Sequence, residues 1–541
     1  MNNITIWRYG NTETIYKMKQ LYIILFLLAG CITPVSRVSS QSIVLSKDFK
    51  LSSPFSEPDG RSDVVKINAT DFVTLAKVKG SQTGKSDFTM ERYNSDLNAV
   101  WAVPLSAENS EDYKDLYFNG KEIVLLSVVH LESEKKTKLE AYGFDPKDGN
   151  KLWSKELESF QVGDWDNNMS KGKVKESFID LVCEHTNQDF VTPFEYKHNI
   201  NFSPDQTKFV SFVYNYGEAN LTANVSVYDN SCNLLKRGKV AIDNNYTNYG
   251  IFINNAGKTF MLNANNIGKV NFIQFDMDTK DFILVDLPPT NFAKDDFHVH
   301  FHTDEIAFVG NTEVRDGKIF GVMYSKFNFK EKKVEFSIFE DFGVGFKSEV
   351  ENARKNNKQM KGVEDWLDYD ITHFIVNKEE EVLMVLEKRA LHADGYPHIG
   401  RGTFDKSHKV EFTGHVQAET ILMFSFDRNG DLNWRNYILK NQIYPAGDGL
   451  NTVSFVLDNS LKDQLRILYA SSENMDGSLK ALNLLYIDRA TGKISKNISL
   501  PNDNKLTLVR DYTFFNEDNT LVIVGKKGML GKASMIIRYK L

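Results

Sequence analysis

The sequence predicts an all-β fold: a single closed ring of about eight radial sheets, each of four strands, with short helices in insertions. Three observations predict it. A polar turn that introduces a short apolar strand recurs eight times along the chain. A second half-unit recurs beside it, in which an aromatic strand runs into an Asp or Asn turn and out into a further strand. The last unit lacks its outer strand, while a strand-like segment stands unused ahead of the first. Merging two weak copies would leave seven sheets instead of eight.

Composition fits a large globular body. The chain has 541 residues, a formal charge of -7 from 65 Lys and Arg against 72 Asp and Glu, 41% hydrophobic residues and 12 Pro. That balance disfavours a nucleic-acid partner, and so few prolines leave no Pro-rich linker. Three Cys, none in a Cys-x-x-Cys spacing, exclude a disulfide scaffold and zinc ribbons.

The N-terminus reads as an export signal. Lys17 and Lys19 precede the apolar run Leu21–Leu28, and Ala29-Gly30-Cys31 follows. The run is shorter than the roughly 20 residues a membrane-crossing helix needs. Met18 offers a second possible start. Leu28-Ala29-Gly30-Cys31 resembles the bacterial lipobox, which implies cleavage ahead of Cys31 and acylation of its thiol. Cleavage after Val38-Ser39-Ser40, releasing a soluble chain from Gln41, is the alternative, and a retained anchor is a third. The expected organisation is a signal peptide over residues 1–30, a short linker over 31–42 and the β-ring over 43–541. On these readings the protein is lipid-anchored in the bacterial envelope, or periplasmic or secreted if cut after Ser40, and the lipid is its sole membrane contact.

The first half-units are Asn68–Asp71 before Phe72, Asn119-Gly120 before Ile123, Asn201–Thr207 before Lys208 and Asn254–Gly257 before Phe260. They continue with Thr303-Asp304 before Ile306, Asn377-Lys378 before Val382, Asp458-Asn459 before Leu465 and Asn516–Asn519 before Leu521. The second half-unit is sharpest at Leu139–Trp153 and Ile421–Trp434, and weaker copies begin at Tyr93, Tyr228, Phe275, Phe327 and Ile487. Asn201-Phe-Ser-Pro-Asp-Gln206 resembles the turn of WD-repeat and TolB-like propellers, and the Asp145–Trp153 and Asp427–Trp434 hairpins resemble pyrroloquinoline-quinone-type repeats. The resemblance implies a β-propeller of four-stranded blades. It does not extend to the Gly-His and Trp-Asp pairs of WD repeats, and only Trp101, Trp153 and Trp434 hold the hairpin Trp place. The function of those families therefore does not transfer.

In the eighth unit Ile43–Leu51 is expected to pair with Met535–Leu541 and so close the ring, which removes an exposed edge. The long insertions, near 158–197, 340–370 and 389–419, are all expected on one rim, with helix-period patches at 174–182 and 348–369. Cys183 then lies in an insertion and Cys232 in a tight turn of the opposite rim, so two unpaired thiols are expected, since a disulfide tolerates only about 7 Å between α-carbons.

Eight of the 11 His lie between His298 and His415. Candidate ligand-binding residues are His298, His300 and His302, whose period of two puts them on one side of an innermost strand at steps of about 7 Å, together with His373, His392 and His398. Imidazole is also a common metal ligand, but packing between blades is the simpler use, and no metal and no cofactor are expected. Asp427–Asp431 lacks the twelfth-position Glu of a calcium loop and sits where a blade needs a turn. The 38 Phe and 22 Tyr are assigned to packing between blades. No Gly-x-Ser-x-Gly elbow, His-Glu-x-x-His helix or phosphate loop occurs. The leading expectation is a non-catalytic binding or scaffolding propeller whose partner, an envelope protein or glycan, sits on the insertion-bearing face. The alternative is an enzyme, a lyase or hydrolase on polysaccharide or peptide, using His and acidic residues of blades five and six.

Overall fold

The computed structural model describes residues 43–541 apart from 50–63, 78–84, 109–110, 132–133, 135, 162–197, 216–221, 244–245, 266–268, 288–296, 316–317, 358–359, 361–363, 394–413, 446–454, 473–478, 503–505 and 528–532. Cys31, Cys183, His398 and the helix patch at 174–182 lie outside the described residues, as do residues 1–42.

Short apolar strands separated by turn residues can bury themselves only face to face, and here they assemble into eight antiparallel sheets. Blade one is Val64–Lys66, Phe72–Lys77, Lys85–Tyr93 and Ala99–Glu108. Blade two is Glu111–Phe118, Ile123–Leu131, Lys136–Phe144 and Lys151–Gln161, and blade three is Asn199–Phe202, Lys208–Asn215, Thr222–Asp229 and Leu234–Ala241. Blade four is Thr247–Ile253, Thr259–Ala264, Val270–Phe275 and Phe282–Asp286, and blade five is His298–Phe301, Ile306–Arg315, Lys318–Asn328 and Lys333–Asp341. Blade six is Tyr369–Val376, Val382–Ala393, Gly414–Phe426 and Leu432–Ile438, and blade seven is Phe455–Asp458, Gln464–Ser472, Leu479–Asp488 and Ile494–Leu500. Blade eight has Leu506–Leu508 and Phe514–Phe515 inside, then Thr520–Lys527, Ala533–Lys540 and, outermost, Ile43–Phe49.

That last pairing closes the ring. Ile43 lies opposite Tyr539 and Phe49 opposite Ser534, as the missing outer strand requires. Eight apolar clusters, one for each pair of consecutive blades, complete the circle. The cluster joining blade eight to blade one holds Val522, Val524 and Ile536 against Phe72 and Tyr93. Tyr512 OH donates to Leu75 O at 3.0 Å across the same joint. The fold is thus an eight-bladed β-propeller, and the alternative of seven is excluded. Strands flanked by blades on both faces are buried throughout, as is Thr259–Ala264, whereas the outer Leu234–Ala241 keeps every second residue exposed. Most Phe rings lie in these clusters.

The turns explain the repeats. In blades one to seven the third-to-fourth hairpin opens on Asp or Asn and contains a left-handed residue: Leu97, Gly149, Cys232, Lys280, Lys332, Gly430 or Gly492. The opening side chain accepts backbone N–H groups, as Asp427 Oδ1 does from Asn429 at 2.8 Å and Asp431 at 2.9 Å. Asp427 is therefore a turn residue. Gly492 has a second reason to lack a side chain, since a Cβ there would meet the Trp434 indole of blade six at 2.3 Å.

Each sheet is a meander, so first-to-second and third-to-fourth turns share one rim and all other connections share the opposite one. The tight turns occupy the first rim, and among the described residues the strand ends that lead into the long connections face the second. Helix α1 (Gly343–Asn356) joins blade five to blade six there. It starts earlier than the predicted 348–369, where Asp341 Oδ1 accepts the Gly343 N–H at 2.6 Å, and it ends earlier, where Asn357 turns to an extended backbone. Blade six also rises past the ring on this rim. Its third strand, after pairing with Leu432–Ile438, pairs at His415–Ala418 with an extra strand, Gln442–Pro445. Cys232 is a free, buried thiol, and burial pushes its pKa up to about 11.

Candidate functional site

The inner strands of blades five to eight carry the candidate site. His373, in the middle of blade six's first strand, packs at 5.2 Å and a tilt of 41° against the Phe455 ring that opens blade seven. Its Nδ1 lies 3.1 Å from Thr372 Oγ1. Burial pushes its pKa down to about 4, assisted by Arg510 of blade eight, and Glu387, His298 and Arg389 also act on it. The first strands of blades five and six, which carry His298 and His373, lie side by side, and His298 acts on His373 electrostatically.

The other predicted histidines divide. His300 stays on the first strand of blade five, where burial and His302 push its pKa down to about 4. His302 falls beyond that strand, in the turn, with Nε2 3.8 Å from Glu380 Oε1 and its ring edge-on to Phe308. Glu380 also accepts from Lys326 at 2.7 Å, so the Glu379–Glu381 run is partly a tie between blades five and six. His392 lies opposite His415 in the backbone register of blade six. Among the described residues, no group of three or more His, Cys, Asp or Glu is placed to hold a metal ion.

Next to His373 lies a buried ionic cluster that the sequence reading missed. Lys440 Nζ is 2.6 Å from Glu387 Oε1, and both side chains are fully buried. Burial lowers the Lys440 pKa, and Glu387 opposes the shift. Arg389 reaches Asp370 Oδ2 at 3.4 Å and Glu387 Oε2 at 3.8 Å. Arg354, from the last turn of α1, pairs with Glu419 at 2.8 Å and Glu364 at 3.3 Å. Lys388 meets Glu364 at 2.8 Å and Asp365 at 2.5 Å; burial pulls its pKa down, but these carboxylates outweigh burial and raise it. The cluster locks α1 and the raised part of blade six onto the ring. A signal for it exists in the sequence: the apolar run Val382–Leu386 ends in Glu387-Lys388-Arg389, and Glu419 interrupts a second apolar strand.

A second buried polar group joins blades two and three. Glu158 Oε1 accepts from Ser211 Oγ at 2.5 Å and lies 3.2 Å from His198 Nδ1. Ser211 also faces Nδ1, at 3.3 Å, and not Nε2. A relay with acid and hydroxyl on opposite ring nitrogens is therefore not formed. Tyr228 OH donates to Glu158 Oε2 at 3.2 Å. The group ties the outer strand of blade two across the face of blade three.

No family model matches this sequence, and no curated protein matches it. Solved structures that resemble it include the β-propeller domain of the Trilobed protease from Pyrococcus furiosus, at 10% identity over 79% of this chain and 95% of that one, with a TM-score of 0.31. Saccharomyces cerevisiae Sqt1 is 9% identical over 92% and 98% of the two chains, with a TM-score of 0.41. Porphyromonas gingivalis dipeptidyl peptidase 4 is 10% identical over 88% and 67%, with a TM-score of 0.38. The class is set by the strand order itself: an eight-bladed propeller with a polar junction at the inner strands of blades five to eight.

Proposed function

We propose that this chain is a non-catalytic binding propeller of the bacterial envelope, exported by its N-terminal signal and held by a lipid on Cys31. If it is instead cut after Ser40 it acts as a soluble periplasmic or secreted protein. Its ligand, an envelope protein or glycan, binds on the long-connection side. One observation carries this reading: the rim from which the long connections leave is also the one onto which blade six and α1 are locked by buried ion pairs. Buried ion pairs seldom add net stability over apolar packing. Their use to hold one face rigid fits a preorganised recognition surface.

A second reading rests on the same junction. His373 and His298, beside Glu387, are groups that general acid–base chemistry uses, so an enzyme acting on polysaccharide or peptide is the alternative.

Arrays of envelope glycans and peptides probed with the purified protein test both. Binding without turnover, lost in His298→Ala and kept in Lys121→Ala on the tight-turn rim, is the expected result. Turnover of a bound glycan or peptide would replace the first reading with the second.

A further inference from the structure

Blade four ends outward on an edge unlike those of the other blades. Its outermost strand, Phe282–Asp286, pairs inward with Val270–Phe275, and among the described residues nothing pairs with its outer side. A charge or a proline within an edge strand guards it against pairing with another chain. Blade one has Pro104 there, and blades two, three, five, six, seven and eight have Lys155, Arg237, Glu335, Arg435, Lys496 and Lys47. Blade four has Phe-Ile-Leu-Val, with no guard before its last residue, Asp286. Ile283 and Val285 pack in the cluster between blades four and five. Phe282 and Leu284, on the other face, are 69% and 42% exposed.

The segment also complements itself. When two copies run antiparallel with Ile283 opposite Ile283, Phe282 of each lies opposite Leu284 of the other and Asp286 opposite Lys280, all on one face because side chains alternate. Centring the pair on Leu284 instead sets Phe282 against Asp286, so charge and apolar surface favour the first register. Within one copy Asp286 stands 3.7 Å from Lys269, and both are 46% exposed, which leaves its carboxylate open to a second cation.

We propose that blade four is a self-association surface, through which two copies of this chain pair along Phe282–Asp286 and join two four-stranded blades into one eight-stranded sheet about a two-fold axis. Antiparallel pairing turns one ring over relative to the other, so the two long-connection rims face opposite ways and neither is covered. The inference goes beyond the ligand-binding reading and does not depend on it. A five-residue contact is small, so the dimer is reversible.

Sedimentation equilibrium of the purified full-length protein over a wide range of concentration tests it. The wild-type protein is expected to pass from monomer in dilute solution to dimer in concentrated solution. Leu284→Lys, which places a charge on the edge, is expected to weaken the dimer at least ~tenfold with an unchanged melting temperature. Lys280→Asp sets carboxylates opposite each other at both ends of the pairing and is expected to weaken it ~tenfold. Adding Asp286→Lys to Lys280→Asp restores the opposite charges and is expected to restore association.

A monomer at every concentration would overturn the inference and leave the edge to a strand of a different protein. A dimer that Leu284→Lys leaves intact would overturn it too, because another surface would then hold the copies together. Failure of Asp286→Lys to rescue Lys280→Asp would overturn the register.

Discussion

Lys440 Nζ lies 2.6 Å from Glu387 Oε1 with neither side chain exposed, so each charge depends on the other. Removing one partner strands the other in a medium that solvates it poorly. Glu387→Gln or Lys440→Met alone is expected to cost about 3–5 kcal/mol in urea unfolding, while the double variant Glu387→Met with Lys440→Met recovers most of the loss. A double variant no better than either single one would show that the pair is held in place by more than mutual compensation.

Trp434 of blade six and Gly492 of blade seven define the joint between blades on the tight-turn rim. Gly492 has φ +68, and its absent Cβ leaves room for the indole, whose Nε1 donates to Arg489 O at 2.6 Å. Gly492→Ala should cost about 1–3 kcal/mol from overpacking, with a further contribution from the left-handed backbone. Trp434→Ala removes a large buried ring and should cost about 3–5 kcal/mol. In the double variant the clash disappears, so the two effects should sum to less than their parts. Strict additivity in chemical denaturation would show that the alanine methyl finds space without touching the indole.

The ring closes through Ile43–Phe49, and Leu541 N donates to Asn519 O at the end of the neighbouring strand. A chain beginning after Phe49 exposes the edge of Ala533–Lys540. Compared with a chain beginning at Gln41, it is expected to melt at lower temperature and to form dimers or larger species by edge pairing, read by light scattering. A monomer of unchanged melting temperature would mean that the other seven blades hold the eighth without its outer strand.

The ring was legible because its determinants are local. Asp427-Arg-Asn-Gly430 and Asn201–Thr207 specify turns through their own side chains and backbone angles, so they stand out wherever they recur. The missing outer strand after Met535–Leu541 and the spare one at Ile43 followed from counting. The ionic cluster was not legible, since Arg354, Glu419 and Lys440 meet across α1, the third strand and the chain after the fourth, and nothing local links them. The placing of His298 and His373 on adjacent inner strands lay between these cases. Strand period put His298 on an inner strand, but its neighbour came from a different blade. The helix limits were missed because the chain turns extended at Asn357, although residues of helical period continue beyond it.

His300 and His373 give the fold a pH dependence whose sign can be stated. Both have native pKa values pushed down to about 4 by burial, from an ordinary value of 6.5. The groups acting on His373 are Arg510, Glu387, His298 and Arg389, and on His300 it is His302. Between those values the unfolded chain binds more protons than the native one, so stability is full above pH 6.5 and falls as pH drops toward 4. Each histidine contributes a slope approaching about 1.4 kcal/mol per pH unit in that window. Urea unfolding from pH 7.5 to 4.5 should show this decline, and a His300→Gln, His373→Gln double variant should show a shallower one. The imidazole proton resonances of both residues in the wild-type protein should remain in the neutral position at pH 5.5. A mid-titration shift at that pH for either ring would mean that the ring is hydrated in solution and that its share of the decline belongs to another group.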